Sequence, residues 1–233
     1  VTTINPLGCT GKNDSTEARP YIDPTITGVN AAMAPLPIHL PTIEAVLPYL
    51  STGYYLAKRD WRHGFHHAIL DISARKYMGL RLSNGLIARF VALPFGASQA
   101  PALFTELANE FARLLQIYLQ QHHISQAILC IYIDDILIAT PTHSLLQEAC
   151  HLMDTLAHDL GIEFKTSKDI GISHPTQQLE FLGIQISTFP IVEAYPSSIK
   201  IAKITTLIHQ HVPQHHISYR ELETLMGKPS FLG

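Results

Sequence analysis

The sequence predicts an α+β fold built on a split βαβ unit, a sheet with two helices on one face. Three observations predict it. Between residues 54 and 164 the pattern runs strand, helix, hairpin, helix, strand. The first of those helices has the most regular apolar period in the chain, and the second opens on a capping pattern and closes on a glycine. The hairpin between them, residues 128–139, is two runs of β-branched and aliphatic residues interrupted at Asp134 and Asp135.

Taken in order, residues 1–35 are rich in Pro, Gly, Thr and Asn and read as mostly irregular. Residues 40–50 read as a short helix, with Thr42 as cap and Ile43, Val46, Leu47 and Leu50 as its apolar stripe. Tyr54 to Leu70 reads as extended segments joined by a turn near His63 and Gly64. Alternation puts Leu56, Lys58 and Asp60 on one side of the first. Residues 76–91 form a hairpin turning at Ser83, Asn84 and Gly85. Pro101 suits the first turn of a helix that repeats Phe104, Leu107, Phe111, Leu114 or Leu115, and Tyr118. After the acid hairpin, Ser144 and Gln147 resemble a capping box opening a helix with Leu145, Ala149, Leu152, Leu156 and Leu160, ended by Gly161. A strand at 162–164 and one apolar strand at 179–186 follow. Ser218 to Glu221 is a second capping box.

The 233 residues, 46% hydrophobic and 15% charged, suffice for a core in one or two subdomains. The chain starts at Val1, so a piece of a longer polypeptide is expected, and its N-terminus lacks the basic and apolar regions of a signal peptide. The longest apolar run, Ala127 to Ile133, is too short to span a bilayer, so no membrane partner is expected. Three cysteines without metal-type spacing suit a reducing, intracellular setting, with Cys130 and Cys150 as core residues. The net charge of −3 means that any basic footprint for nucleic acid is local, or lies on other parts of the protein. Among the fourteen histidines, His211 and His215 stand four apart but lack a third ligand.

Asp134 and Asp135 sit where turns normally recruit Gly, Asn or Pro. They are either a solvated turn or a site. If buried, each unpaired carboxylate costs several kcal/mol or more, and hard Mg²⁺ is a fitting partner that leaves positions open for phosphate. In the split βαβ topology the end of the first strand, at Asp60, lies beside the hairpin tip. Three carboxylates there can hold two metals about 3.5–4 Å apart, the arrangement that serves in-line phosphoryl transfer.

These residues resemble the reverse transcriptase domain of retroviruses and LTR-type retroelements. Tyr132-Ile-Asp-Asp135 is similar to its Tyr-x-Asp-Asp box, and Asp60 to its first catalytic aspartate. Leu93-Pro-Phe-Gly96, followed by Ala100, Pro101 and Phe104, is similar to its Pro-Phe-Gly segment. Phe181-Leu-Gly183 resembles the approach to its primer grip. The likeness covers residues from about 12 to 232. The Pro-Phe-Gly form, Gly64-Phe-His-His67 and Arg75-Lys-Tyr77 look more like retrotransposons, of a DIRS-like branch. Thr25 departs from the family, which often has Arg there before an Asn, and Asn30 comes late.

The resemblance implies a right-hand polymerase: fingers at 1–35 and 68–99, palm at 36–67 and 100–190, and end of palm with start of thumb at 191–233. It implies Asp60 and Asp134 as direct ligands of two Mg²⁺ ions (Mn²⁺ admissible), with Asp135 supporting the tip or one ion. Arg19, Lys12 and Lys168 would meet the triphosphate, Phe65 would lie under the incoming sugar, and Phe95 and Gly96 would line the nucleotide site. Phe181, Leu182 and Gly183 would face the primer. Implied partners are an RNA or DNA template, a primer 3′ end and deoxynucleoside triphosphates. The alternative is a catalytically inactive retroelement-derived module that binds nucleic acid or protein. An RNA polymerase with a related palm is disfavoured by Phe65, which offers a 2′-OH no polar partner.

Overall fold

The computed structural model describes residues 2–11 and 18–211. Lys12 and the capping pattern expected at Ser218 to Glu221 lie outside the described residues. In chain order the first elements are β1 (Ile4–Asn5), β2 (Leu7–Gly11), β3 (Ala18–Ile22), α1 (Val29–Ala32), α2 (Ile43–Val46) and β4 (Tyr55–Asp60). Next come α3 (Gly64–His67), α4 (Ile72–Arg75), β5 (Gly79–Arg81), β6 (Ile87–Arg89), α5 (Ala100–Gln121), β7 (Ile128–Tyr132) and β8 (Asp135–Thr140). The last are α6 (His143–Asp159), β9 (Gln178–Phe181), β10 (Ile184–Ser187), β11 (Glu193–Pro196) and α7 (Ser198–His211).

The expected α+β unit is present. Strands β4, β8 and β7 form an antiparallel sheet in that order, and β4 is the strand that pairs across the chain with the hairpin. Its two faces are both apolar, which is why the strands read as near-continuous hydrophobic runs. Ala57, Ile131, Ile136 and Ile138 join the core formed with α5 and α6. Leu56, Cys130, Leu137 and Ala139 face the other way, against α2, β9 and β10. Asp60, two residues beyond Lys58 and four beyond Leu56, therefore belongs to the face away from α5 and α6.

Helix α5 carries Pro101 in its first turn and buries Phe104, Ala108, Phe111, Leu115 and Leu119. Trp61, directly after β4, is fully buried edge-on against Phe104 and Phe111, with ring centroids 5.3 and 5.2 Å apart. That packing fixes where β4 ends, and so where Asp60 stands.

Several local expectations are corrected. Residues 1–35 hold three short strands, because β1 pairs in parallel with the distant β5 and β2 pairs antiparallel with β3. Residues after Gly64 are not extended: a single turn, α3, forms there and the chain continues as a loop. Helix α6 is capped by Thr142, whose hydroxyl accepts from the Leu145 amide at 3.3 Å, not by Ser144. Its buried face is Leu146, Ala149, Cys150, Leu152, Met153 and Ala157: Ala149 and Leu152 of the expected stripe are buried, Leu145 and Leu156 are only partly so, and Leu160 is exposed. Residues 162–164 form no strand of their own. They contribute one bridge, Phe164 to Trp61, just past the end of β4. The single strand expected at 179–186 is the hairpin β9–β10, turned at Leu182 and Gly183 with φ of 54° and 78°. The short helix at 43–46, the hairpin at 79–89 and the end of α6 at Gly161, φ 70°, stand as expected.

Candidate active site

The ladder between β4 and β8 places Asp60 directly opposite Asp135, and the ladder between β8 and β7 places Tyr132 opposite the same residue. Asp134 occupies the turn with Ile133. Ile133 has φ of 56°, a conformation that costs a β-branched residue roughly 1–3 kcal/mol. Surrounding bonds hold it there. The Trp61 amide donates to the Asp134 carbonyl at 2.7 Å, so the hairpin tip is tied to the residue after Asp60. Asp60 and the Asp134–Asp135 pair, 74 residues further along the chain, thus share one end of one sheet.

Their charges interact. Burial pushes the Asp134 carboxyl above its ordinary value of 3.8, and Asp135 and Asp60 push it further, while its own backbone amide and Arg19 pull it back. The two flanking acids each hold a lysine. Lys168 Nζ bonds to Asp60 Oδ2, and this contact raises the lysine's pKa. Lys58 Nζ lies 3.1 Å from Asp135 Oδ1 and 5.7 Å from the centroid of the Phe181 ring. Among the described residues no set of three acidic, His or Cys side chains converges as a ready-made metal cage. The donors nonetheless fit Mg²⁺ chemically: they are hard carboxylate oxygens whose mutual repulsion a divalent ion would relieve.

That repulsion gives a measurable expectation in the absence of metal. A carboxyl whose pKa is raised on folding contributes stability that is full below its ordinary value and is lost as pH rises through the folded value. At pH 7 in EDTA, Asp134→Asn should therefore melt a few degrees above the native protein. The gap should close as the pH is taken down towards 4. Equal melting temperatures across that range would mean that Asp134 carries no such strain.

A second group gathers beside the acids. Arg19, on β3, lies over the Phe95 ring at 4.8 Å, and Phe95 packs against Phe65 at 4.7 Å. Phe65 also meets Phe104 edge-on at 5.3 Å and is only half-buried. Gly96 follows Phe95 with φ of 102°, its α-carbon against the Ile22 carbonyl.

A profile of the family described as reverse transcriptase (RNA-dependent DNA polymerase) matches residues 11–186, well over half of the chain. The chain belongs to the reverse transcriptase family. Among curated relatives, the Retrovirus-related Pol polyprotein from transposon opus of Drosophila melanogaster is 25% identical over 203 residues. That match takes in 87% of this chain but 18% of the polyprotein, so the chain spans less than a fifth of that relative's length. Among solved structures, a foamy viral protease-reverse transcriptase in complex with double-stranded DNA superposes with a TM-score of 0.73 at 18% identity. The match covers 98% of this chain and 36% of that one. A foamy viral protease-reverse transcriptase in complex with an RNA/DNA hybrid gives 0.69 at 19% identity, over 99% and 28% of the two chains. These likenesses are of fold.

In this reverse transcriptase chain the residues expected from sequence divide into three groups. Asp60, Asp134, Asp135 and Lys168 meet at the sheet end. Arg19, Phe65, Phe95 and Gly96 form the aromatic stack beside it. Phe181 is fully buried beneath Lys58, so only Leu182 and Gly183, at the turn, reach the surface of the expected primer-facing segment. Sequence reasoning missed the roles of Lys58, Arg59 and Asp169. The alternation of β4 contained a clue: it puts Arg59, a full charge, on the same face as Ala57. No helix among the described residues is long and apolar enough to cross a membrane.

Proposed function

We propose that this chain is the fingers and palm segment of an RNA-directed DNA polymerase that adds deoxynucleotides to a primer 3′ end. The observation that carries the reading is the meeting of Asp60, Asp134 and Asp135 at one sheet end, each flanking acid matched by a lysine. In this reading residues 1–35 and 68–99 are fingers, 36–67 and 100–190 palm, and 191–233 the end of the palm with the start of the thumb. Asp60, Asp134 and Asp135 would hold Mg²⁺, which when bound neutralises charge on the transferring phosphoryl group. Arg19 and Lys168 bind the triphosphate, and Lys12 belongs with them by sequence. Phe65 supports the sugar, with Phe95 and Gly96 behind it, and the Leu182–Gly183 turn meets the primer. Partners are a primer annealed to an RNA or DNA template, and deoxynucleoside triphosphates.

Primer extension by the full-length protein tests the proposal. Incorporation on both RNA and DNA templates, dependent on a divalent cation, is the expected result, and a folded protein that extends neither rejects it. Within that assay, Arg19→Ala or Lys168→Ala removes a charge-assisted hydrogen bond to phosphate, about 1.5–3 kcal/mol. The loss should appear in nucleotide affinity or rate and not in primer–template affinity. Unchanged nucleotide kinetics would remove that residue from the site.

Sugar choice gives a further expectation. The half-buried Phe65 ring offers a 2′-OH no hydrogen-bond partner, and stripping water from a polar group against it costs about 1–3 kcal/mol before any clash. Phe65→Val should admit ribonucleotides while deoxynucleotide addition continues. Competing the two in one reaction measures it, and an unaltered ratio in a folded variant would reduce Phe65 to packing.

A further inference from the structure

Beside the acids, but on the opposite face of the sheet, lies a charge cluster around the buried Arg59 that the proposed chemistry does not use. Arg59 immediately precedes Asp60 in β4, so its side chain leaves on the helix-bearing face, where it is 3% exposed. One guanidinium nitrogen donates to Asp154 Oδ1 on α6 at 2.5 Å. The other donates to Asp169 Oδ2 at 2.9 Å, and the guanidinium lies 4.5 Å from the Phe164 ring centroid. Asp169 is the neighbour of Lys168.

The backbone shows what this tie controls. Along the outer edge of β4, the Lys165 amide bonds to the Asp60 carbonyl at 2.8 Å, and Lys58 and Ile170 exchange amide–carbonyl bonds of 3.0 Å each. Between those two fixed points residues 166–168 make a single 3₁₀ turn, with no backbone bond to β4. The turn straddles the strand edge. Lys168 reaches Asp60 on one face, and Asp169 reaches Arg59 on the other. The Lys168 side chain is itself 55% exposed, so its own packing does not hold it in place.

We infer that Arg59 is a positioning residue that fixes the 166–169 turn through Asp169 and thereby sets Lys168 over the nucleotide site. This rests on the proposed contact of Lys168 with the triphosphate. Arg59 is suited to the task because its planar fork engages two carboxylates in fixed directions, which a lysine's point charge does not. Without the fork, Asp169 becomes an uncompensated carboxylate next to Lys168 and competes with Asp60 for it.

The experiment is steady-state kinetics of the full-length protein carrying Arg59→Lys, Lys168→Ala and both substitutions. Arg59→Lys should raise the KM for deoxynucleotide about tenfold, the scale of one charge-assisted phosphate contact. The kcat and the primer–template Kd should stay within about twofold of native. The double variant should be no worse than Lys168→Ala alone, since a residue acting only through Lys168 has nothing left to act on once it is gone. A purely structural role for Arg59 would instead add its full effect with or without Lys168, and that outcome, or an unchanged KM, overturns the inference. If Lys168→Ala alone leaves KM unchanged, it is the assignment of Lys168 to the triphosphate that fails, and the inference falls with it. Should Arg59→Lys not fold, the isosteric Asp169→Asn carries the same test with the same expected coupling.

Discussion

Asp60→Asn should reduce nucleotide addition to below about a thousandth of the native rate. The three carboxylates come from two chain segments and meet because β4 and β8 pair Asp60 with Asp135, with Asp134 in the adjoining turn. Asn keeps the shape and one oxygen but removes the charge that a divalent cation needs. Metal stabilisation of the reacting phosphoryl group is worth several kcal/mol, and each 1.36 kcal/mol is a factor of about ten in rate. The fold should survive, because the bonds that locate Asp60 are main-chain: its carbonyl accepts from Lys165, and the next amide donates to Asp134. One fewer like charge near Asp134 should, if anything, help the metal-free fold. Circular dichroism and thermal melting would confirm an intact chain, and primer extension would measure the loss. Near-normal extension by a folded Asp60→Asn protein would exclude the carboxylate trio as the reaction centre.

Gly96→Ala should be strongly destabilising for so small a substitution. Two separate costs meet there. At φ of 102° an L residue is strained, and a methyl group would stand 1.8 Å from the Ile22 carbonyl oxygen, a backbone atom that cannot step aside. Neighbouring bonds prevent the segment from swinging away. The Ile22 amide donates to the Phe95 carbonyl at 3.0 Å, Asn30 Nδ2 donates to the Gly96 carbonyl at 3.1 Å, and the Ser98 amide donates to Asn30 Oδ1 at 3.0 Å. Strain of about 1–3 kcal/mol plus the clash should cost roughly 3 kcal/mol or more, a large share of the 5–15 kcal/mol that holds a typical domain. Gly85→Ala is the control. Gly85 has φ of 82° but open space where its methyl would go, so it should lose only the conformational part, about 1 kcal/mol. Chemical denaturation of both would measure this, and equal losses would mean that the contact with Ile22 yields. If Gly96→Ala does fold, the Arg19–Phe95–Phe65 stack should be displaced with it, and nucleotide kinetics should suffer more than in Gly85→Ala.

Asn30 shows how a departure from the family's sequence pattern can be read in physical terms. It stands later than the family's usual asparagine, yet its amide spans Thr25, Gly96 and Ser98 and ties α1 to the segment behind the aromatic stack. The contact was invisible from spacing because it joins residues 66 and 68 apart, and nothing in local composition distinguishes such an Asn from a loop residue.

The sequence by itself determined the long, strongly periodic elements and the family. Helix α5 was legible because its apolar period and first-turn proline act within one segment. The acid hairpin was legible because two β-branched runs around Asp134 and Asp135 admit few other readings. Tertiary structure alone decided the short elements and the partners of charges. Residues 64–67 formed one helical turn, and 179–186 broke into a hairpin through a leucine with φ of 54°. Segments of a few residues gain too little from their own hydrogen bonds to choose a conformation, so a distant surface chooses for them. The same reason hid the Arg59–Asp169 and Lys58–Asp135 pairs: an ion pair spanning 110 residues, or 77, is a property of how β4 is laid beside its neighbours, and no local pattern encodes it.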